Sequence, residues 1–221
     1  MRAAALALSI FFALNVPRAQ GENPFVAHLV EAAQADYKSG HLDSALTKLD
    51  EREKTEGTSG EALDLRGSIA LEQGRLETAQ KAFTAAHTLA PDFFAPRLHL
   101  GDLLLREKNY AAARAIYQQL STETTVLISS ERLRFALLIV ALATHDEEAS
   151  KSSLENIKFP TETPAYYYAQ AAWEFAHGNP RSAHQWIDTA GEIFEPQLLA
   201  WFARPLYDLG WLKEKPPPAT L

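Results

Sequence analysis

The sequence contains no cysteine. Disulfides, zinc–thiolate sites and cysteine nucleophiles are therefore excluded. Positive charge is scarce: 21 Lys and Arg stand against 28 Asp and Glu, for a net charge of −7. Nucleic-acid binders carry a basic patch, and anionic membranes attract one, so neither is the expected partner. Beyond residue 20 no apolar run approaches the roughly 20 residues that a membrane span needs. The hydrolase elbow G-x-S-x-G, the phosphate loop, the dinucleotide fingerprint G-x-G-x-x-G and the metalloprotease pair H-E-x-x-H are all absent. What is present is 47% apolar residues in a chain of 221, enough to bury a core.

The first twenty residues differ from the rest. Met1-Arg2 forms a short positive start, and residues 3–14 (AAALALSIFFAL) form an uncharged apolar run. Ala19 precedes Gln20 as a small residue at a cleavage point, with Pro17 an unfavourable neighbour. This pattern predicts a signal peptide over residues 1–19 and a periplasmic or secreted protein. Its removal takes away Arg2 and Arg18 and no acid, leaving 19 basic against 28 acidic side chains, a net charge of −9.

The rest of the chain repeats itself. Its clearest unit is Leu63 to Pro91, two helices around a turn at Gly74. Leu63, Gly67 and Ala70 share one helical face; Ala79, Phe83 and Ala86 share the next. Glycine within a helix costs about 0.5–1 kcal/mol relative to alanine, so Gly67 and Gly101 mark places where something must pass close by. Ala45, Ala79 and Ala113 lie 34 residues apart, as do Ala149 and Ala183. The interval from Ala113 to Ala149 is 36, which assigns two extra residues to the loop around Thr122–Ser129. Neither helix of a pair can bury its apolar stripe alone, so the pairs must stack.

A 34-residue helical hairpin with small residues at these offsets resembles the tetratricopeptide repeat (TPR) family. The resemblance covers roughly residues 24–194. The fourth unit is weakest, with Leu137 and Ser153 at positions usually small and bulky. It implies an all-α, right-handed superhelix of about five TPR-like pairs over residues 20–212. Eleven helices are expected, near 24–39, 42–54, 60–73, 76–89, 93–107, 110–120, 130–144, 146–157, 164–177, 180–193 and 197–212. The eleventh is expected to cap the fifth pair, with Trp201, Phe202, Leu206 and Tyr207 inward and Arg204, Asp208 and Lys213 in water. Residues 213–221 are a proline-rich tail expected to be extended and mobile.

In this family the first helix of each pair lines the concave surface. Carried over residue by residue, that places Gln34, Tyr37 and Lys38 from the first unit on this surface. The second unit places Asp64, Ser68 and Glu72 there, and the third Asp102 and Arg106. The fourth places Arg134 and Leu138, and the fifth Tyr168 and Phe175. The groove is thus expected to be mixed and acidic at one end and apolar at the other. Some family members grip a C-terminal carboxylate with basic inner residues; the matching positions here carry Val30, Gln34, Asp64, Ser68 and Asp102, which would repel it. His177 and His184 flank a turn, and Glu174 alone stands near as a third ligand, so they read as surface histidines. The expected function is that of an exported scaffold holding a protein or peptide segment in its groove, in an envelope or secretion assembly. The alternative is a periplasmic chaperone or escort of exported clients. No enzymatic activity, cofactor or metal is expected, and a small-ligand binder or enzyme ranks last.

Overall fold

The computed structural model describes residues 24–218, and helices are the only regular elements among them. The expected signal peptide lies outside the described residues. The helices form five antiparallel pairs and a single last helix. The pairs are α1 (Pro24–Lys38) with α2 (Leu42–Glu56), α3 (Gly60–Glu72) with α4 (Leu76–Leu89), and α5 (Phe94–Arg106) with α6 (Tyr110–Glu123). They continue with α7 (Leu127–Ala143) and α8 (Glu147–Glu155), then α9 (Ala165–Ala176) and α10 (Pro180–Gly191); α11 (Pro196–Asp208) ends the series. This is a superhelical stack, as the periodicity predicts.

Local chemistry sets the boundaries. Prolines open α1, α10 and α11, where no backbone donor is lost. The side chains of Ser59, Asn109 and Asp146 accept from backbone amides three residues on, capping α3, α6 and α8. Asn179, at the cap of α10, makes no such bond. α5 starts at Phe94 with Phe93 at its cap.

Close approach within pairs explains the helical glycines. A Cβ on Gly67 would lie 2.5 Å from the Phe83 ring, and one on Gly101 would lie 2.6 Å from Tyr117. Both rings are fully buried. Each missing side chain makes room for the partner helix's aromatic.

The turn between paired helices carries a left-handed residue: Gly40, Gly74, Lys108, His145 and Gly178, all with φ between +54° and +78°. These positions correct the register of the fourth unit. They fall 34, 34, 37 and 33 residues apart, so three extra residues precede the fourth turn and the next interval is one short. Ser150, 1% exposed, takes the small buried position of α8, one residue after Ala149. The slip was invisible because Lys108 and His145 hold the left-handed turn without glycine. The extra residues lengthen α6 and α7 into the expected loop.

Candidate functional site

The first helices of the pairs, α1, α3, α5, α7 and α9, adjoin one another and form the inner surface. The inner surface is filled. α11 follows the fifth pair against α9 and α10, as the first helix of a sixth pair would, and it also reaches α5 and α7. Phe202 is fully buried, its ring 5.1 Å from Phe135 on α7 and 6.0 Å from Tyr168 on α9. Leu206 is fully buried beside it. Just beyond the helix, Trp211 stacks on Phe175 at 6.0 Å.

The polar face of α11 corrects the expectation that Arg204 and Asp208 meet water. Arg204 Nη2 lies 2.7 Å from Glu72 Oε1 on α3, and Asp208 Oδ1 lies 3.7 Å from Arg106 Nε on α5. Burial lifts the Asp208 carboxyl above the usual carboxylate range, with Arg106 and Arg204 pulling the other way. Lys213 is exposed, as expected. A cavity of about 70 Å³ remains between α11 and the inner helices near Tyr37, Ser68 and Asp102. It holds a few waters at most.

The tail also returns to the stack. It is tethered there: Lys215 Nζ lies 3.0 Å from Glu72 Oε2 and donates to the Glu72 carbonyl at 2.9 Å. Arg204 Nη2 donates to the Pro216 carbonyl at 3.0 Å. Glu72 thus receives two cations, which offsets the cost of burying its carboxylate.

The remaining charged inner residues tie one pair to the next. Asp64 Oδ1 is 2.8 Å from His99 Nδ1, joining α3 to α5. Arg106 Nη1 donates to the Leu71 carbonyl at 2.8 Å. Asp102 accepts from Tyr117 Oη at 2.7 Å and from Arg132 Nη2 at 3.0 and 2.9 Å, joining α5 to α6 and α7. The expected acidic groove is therefore largely a set of internal links. Tyr37, Asp64 and Ser68 are buried; Gln34 is half-buried and Lys38 exposed.

Two fourth-unit residues are misplaced by the register slip. Arg134 is exposed and Leu138 fully buried in the core. Counted back from the turn at His145, the residues that match Leu98 and Asp102 are Phe135 and Ile139, and Phe135 indeed touches α11. Tyr168 and Phe175 do line the inner surface but are taken by α11 and Trp211. Sequence reasoning missed His99, Arg132 and Lys215. The one available signal was the pair Arg204 and Asp208, opposite charges one turn apart in a helix otherwise apolar.

His99 gives a pH signature. Burial lowers its pKa, but the charge of Asp64 and the hydrogen bond to it outweigh burial and hold the imidazolium above its ordinary range. A histidine with a raised folded pKa stabilises fully below its unfolded value of about 6.5, and the contribution is lost as pH rises through the folded value. The melting temperature is expected to fall between pH 6 and pH 9 by more in the wild type than in His99→Gln. Parallel pH profiles for the two chains would contradict the Asp64–His99 tie.

His177 stacks on Trp173 at 4.0 Å and His184 packs edge-on against Phe175. Among the described residues no group of His, Asp and Glu has the arrangement of a metal site. No helix among them is long and apolar enough to cross a membrane. Among the described residues the large apolar side chains that stay exposed, Leu89, Val126, Leu127, Ile128, Phe159 and Ile193, all sit where one pair connects to the next helix in the series. These connections return to the same edge of the stack.

Comparison with known proteins agrees with this architecture. The tetratricopeptide repeat family model matches residues 70–125, which span the heart of the second and third pairs. No curated protein matches the chain in sequence. A thermophilic TPR protein of Thermus thermophilus superposes with a TM-score of 0.63 at 17% identity, over 83% of this chain and 98% of that one. PilF of Pseudomonas aeruginosa gives 0.61 at 14% identity, over 84% and 86%. PilW, a widely conserved type IV pilus biogenesis factor, gives 0.63 at 15%, over 87% and 89%. At these identities the likeness establishes the fold: a TPR superhelix.

Proposed function

We propose that this superhelix of tetratricopeptide repeats is an exported, non-enzymatic scaffold that binds a segment of another protein on its inner surface. The observation that carries this reading is the segment already seated there. The inner face accommodates a helix through apolar anchors and an extended strand through charge, which are the two forms in which a partner segment is bound. A type IV pilus biogenesis factor among the structural relatives favours an envelope assembly as the setting. At α1 the surface presents half-buried Gln34, one turn before the buried Tyr37 on the same helical face.

A second reading is transient escort of exported clients. The row of exposed apolar side chains along the connecting edge, with Phe159 at 64% exposure, favours it. Patches of this kind mark interaction surfaces.

Site-specific photo-crosslinking separates the two. A crosslinking amino acid is placed at position 34, 159 or 134 of the full chain in its native cell. One discrete adduct at 34, absent at 134, is the expected result for the scaffold. Many adducts at 159 and none at 34 would replace it with the escort. Mass spectrometry of the same material is expected to find a mature N-terminus near Gln20; an intact Met1 in the soluble envelope fraction would remove the signal-peptide reading.

A further inference from the structure

The seat of the C-terminal tail is built in a way that ordinary packing does not require. Glu72 is the last residue of α3, and its side chain is 9% exposed. Its carboxylate and its own main-chain carbonyl converge on one ammonium, Lys215 Nζ, at 3.0 and 2.9 Å. The carbonyl end of a helix carries partial negative charge, so the two oxygens and the helix terminus act together on a cation. The other carboxylate oxygen fixes Arg204, which aims Nη2 at the carbonyls of Pro216 and Pro217, at 3.0 and 3.4 Å. Arg204 belongs to α11 and is held there by the buried Phe202 and Leu206, so it stays when the tail leaves.

The arrangement reads three features of an extended segment: one lysine head group and the carbonyls of the next two residues. Proline suits those two places. It has no amide donor to leave unpaired and its φ is already set, so little order is lost on binding. The tail itself is lightly held. Lys213, Glu214, Lys215 and Pro217 are exposed, and after Leu212 the grip rests on Lys215 and the two proline carbonyls.

We propose that Glu72 and Arg204 form a recognition subsite for a lysine followed by proline in an extended segment of a partner protein, and that residues 213–218 occupy it in cis as a displaceable competitor. The proposal rests on the reading of the inner surface as a partner site and specifies one end of it. Because the tail is joined to α11 by a few residues, its effective concentration at the seat is on the order of millimolar. A free segment must outcompete it, so the wild-type chain binds weakly until the cis lysine is withdrawn.

The test uses the full chain and a fluorescein-labelled peptide of residues 213–221, KEKPPPATL, titrated by anisotropy into the millimolar range. Lys215→Ala removes the cis ammonium from an exposed position and leaves the seat intact. It is expected to bind the peptide at least 10-fold more tightly than the wild type. The same peptide carrying Lys215→Ala is expected not to bind, and Glu72→Gln added to the Lys215→Ala chain is expected to abolish binding while circular dichroism stays unchanged. Equal affinity for wild type and Lys215→Ala, absence of binding to either, or binding that survives Glu72→Gln would each overturn the proposal. A Gln34 crosslink with no peptide binding leaves the scaffold standing and removes the subsite; the reverse outcome leaves the subsite and removes the α1 end from the partner surface.

Discussion

Gly67→Leu is expected to destabilise the chain by about 3 kcal/mol or more, read as a shift in the urea midpoint. The sign is not trivial. Replacing a helical glycine removes backbone entropy from the unfolded chain and by itself stabilises, by about 0.5–1 kcal/mol. Against this stands geometry. The first added carbon already lies 2.5 Å from Phe83 Cδ1 and Cε1, inside any real contact distance, and leucine brings three more carbons behind it. The Phe83 ring is fully buried and has no free volume to retreat into. Overpacking therefore outweighs propensity. The coupling is equally diagnostic. Phe83→Ala alone is expected to cost about 3–5 kcal/mol, and Gly67→Leu should cost much less in that background because the leucine enters the vacated space. Additive losses would mean that α3 and α4 do not meet at this point.

Phe202→Ala is the second large effect, at about 3–5 kcal/mol. A helix that merely covered the end of a stack would leave its aromatic partly in water, and its truncation would cost far less. Here the ring has no exposure and lies between Phe135 and Tyr168. Its removal opens a void that three helices share. Beyond lost stability, residues 196–218 are expected to lose amide protection ahead of α3–α6, and Trp211 emission to shift red as it leaves Phe175. A variant with wild-type stability and unchanged exchange over this segment would mean that α11 does not hold the inner surface closed.

The contrast between these two residues shows what was readable in the sequence. Gly67, Phe83 and Ala79 sit at fixed intervals because they meet neighbours in the same unit, and local contact leaves a periodic trace. Phe202 meets Tyr168 at the repeat interval of 34, but it also meets Phe135, 67 positions away, through a helix with no paired partner among the described residues. The repeat register does not foretell that second contact. The amphipathicity of α11 revealed that one face is buried but not against what, and so Arg204 and Asp208 were placed in water. The fourth unit failed for a related reason. His145 takes a turn conformation that glycine usually announces, and its three-residue insertion is absorbed into helix rather than loop. Arg134 and Leu138 were each one residue, about 100° of helix, away from the inward-facing Phe135 and Ile139. Asp64, Glu72 and Asp102 lie on α3 and α5, but their partners His99, Arg204 and Arg132 follow no repeat.

The Lys215–Glu72 contact joins residues 143 positions apart. A linear array assembles from any point, each pair templating the next, and its contacts stay short in sequence. This chain cannot finish that way. The element that shuts the inner face follows all five pairs in the chain, so it leaves the ribosome after them. Every pair can fold before it, so each molecule passes through an interval in which the inner surface is complete and vacant. Closure then waits on a search by α11 and the segment after it across the length of the stack, at an entropic cost that grows slowly with that separation. Any segment present during that interval meets an open surface, so the order of arrival, as well as affinity, decides what the surface holds first.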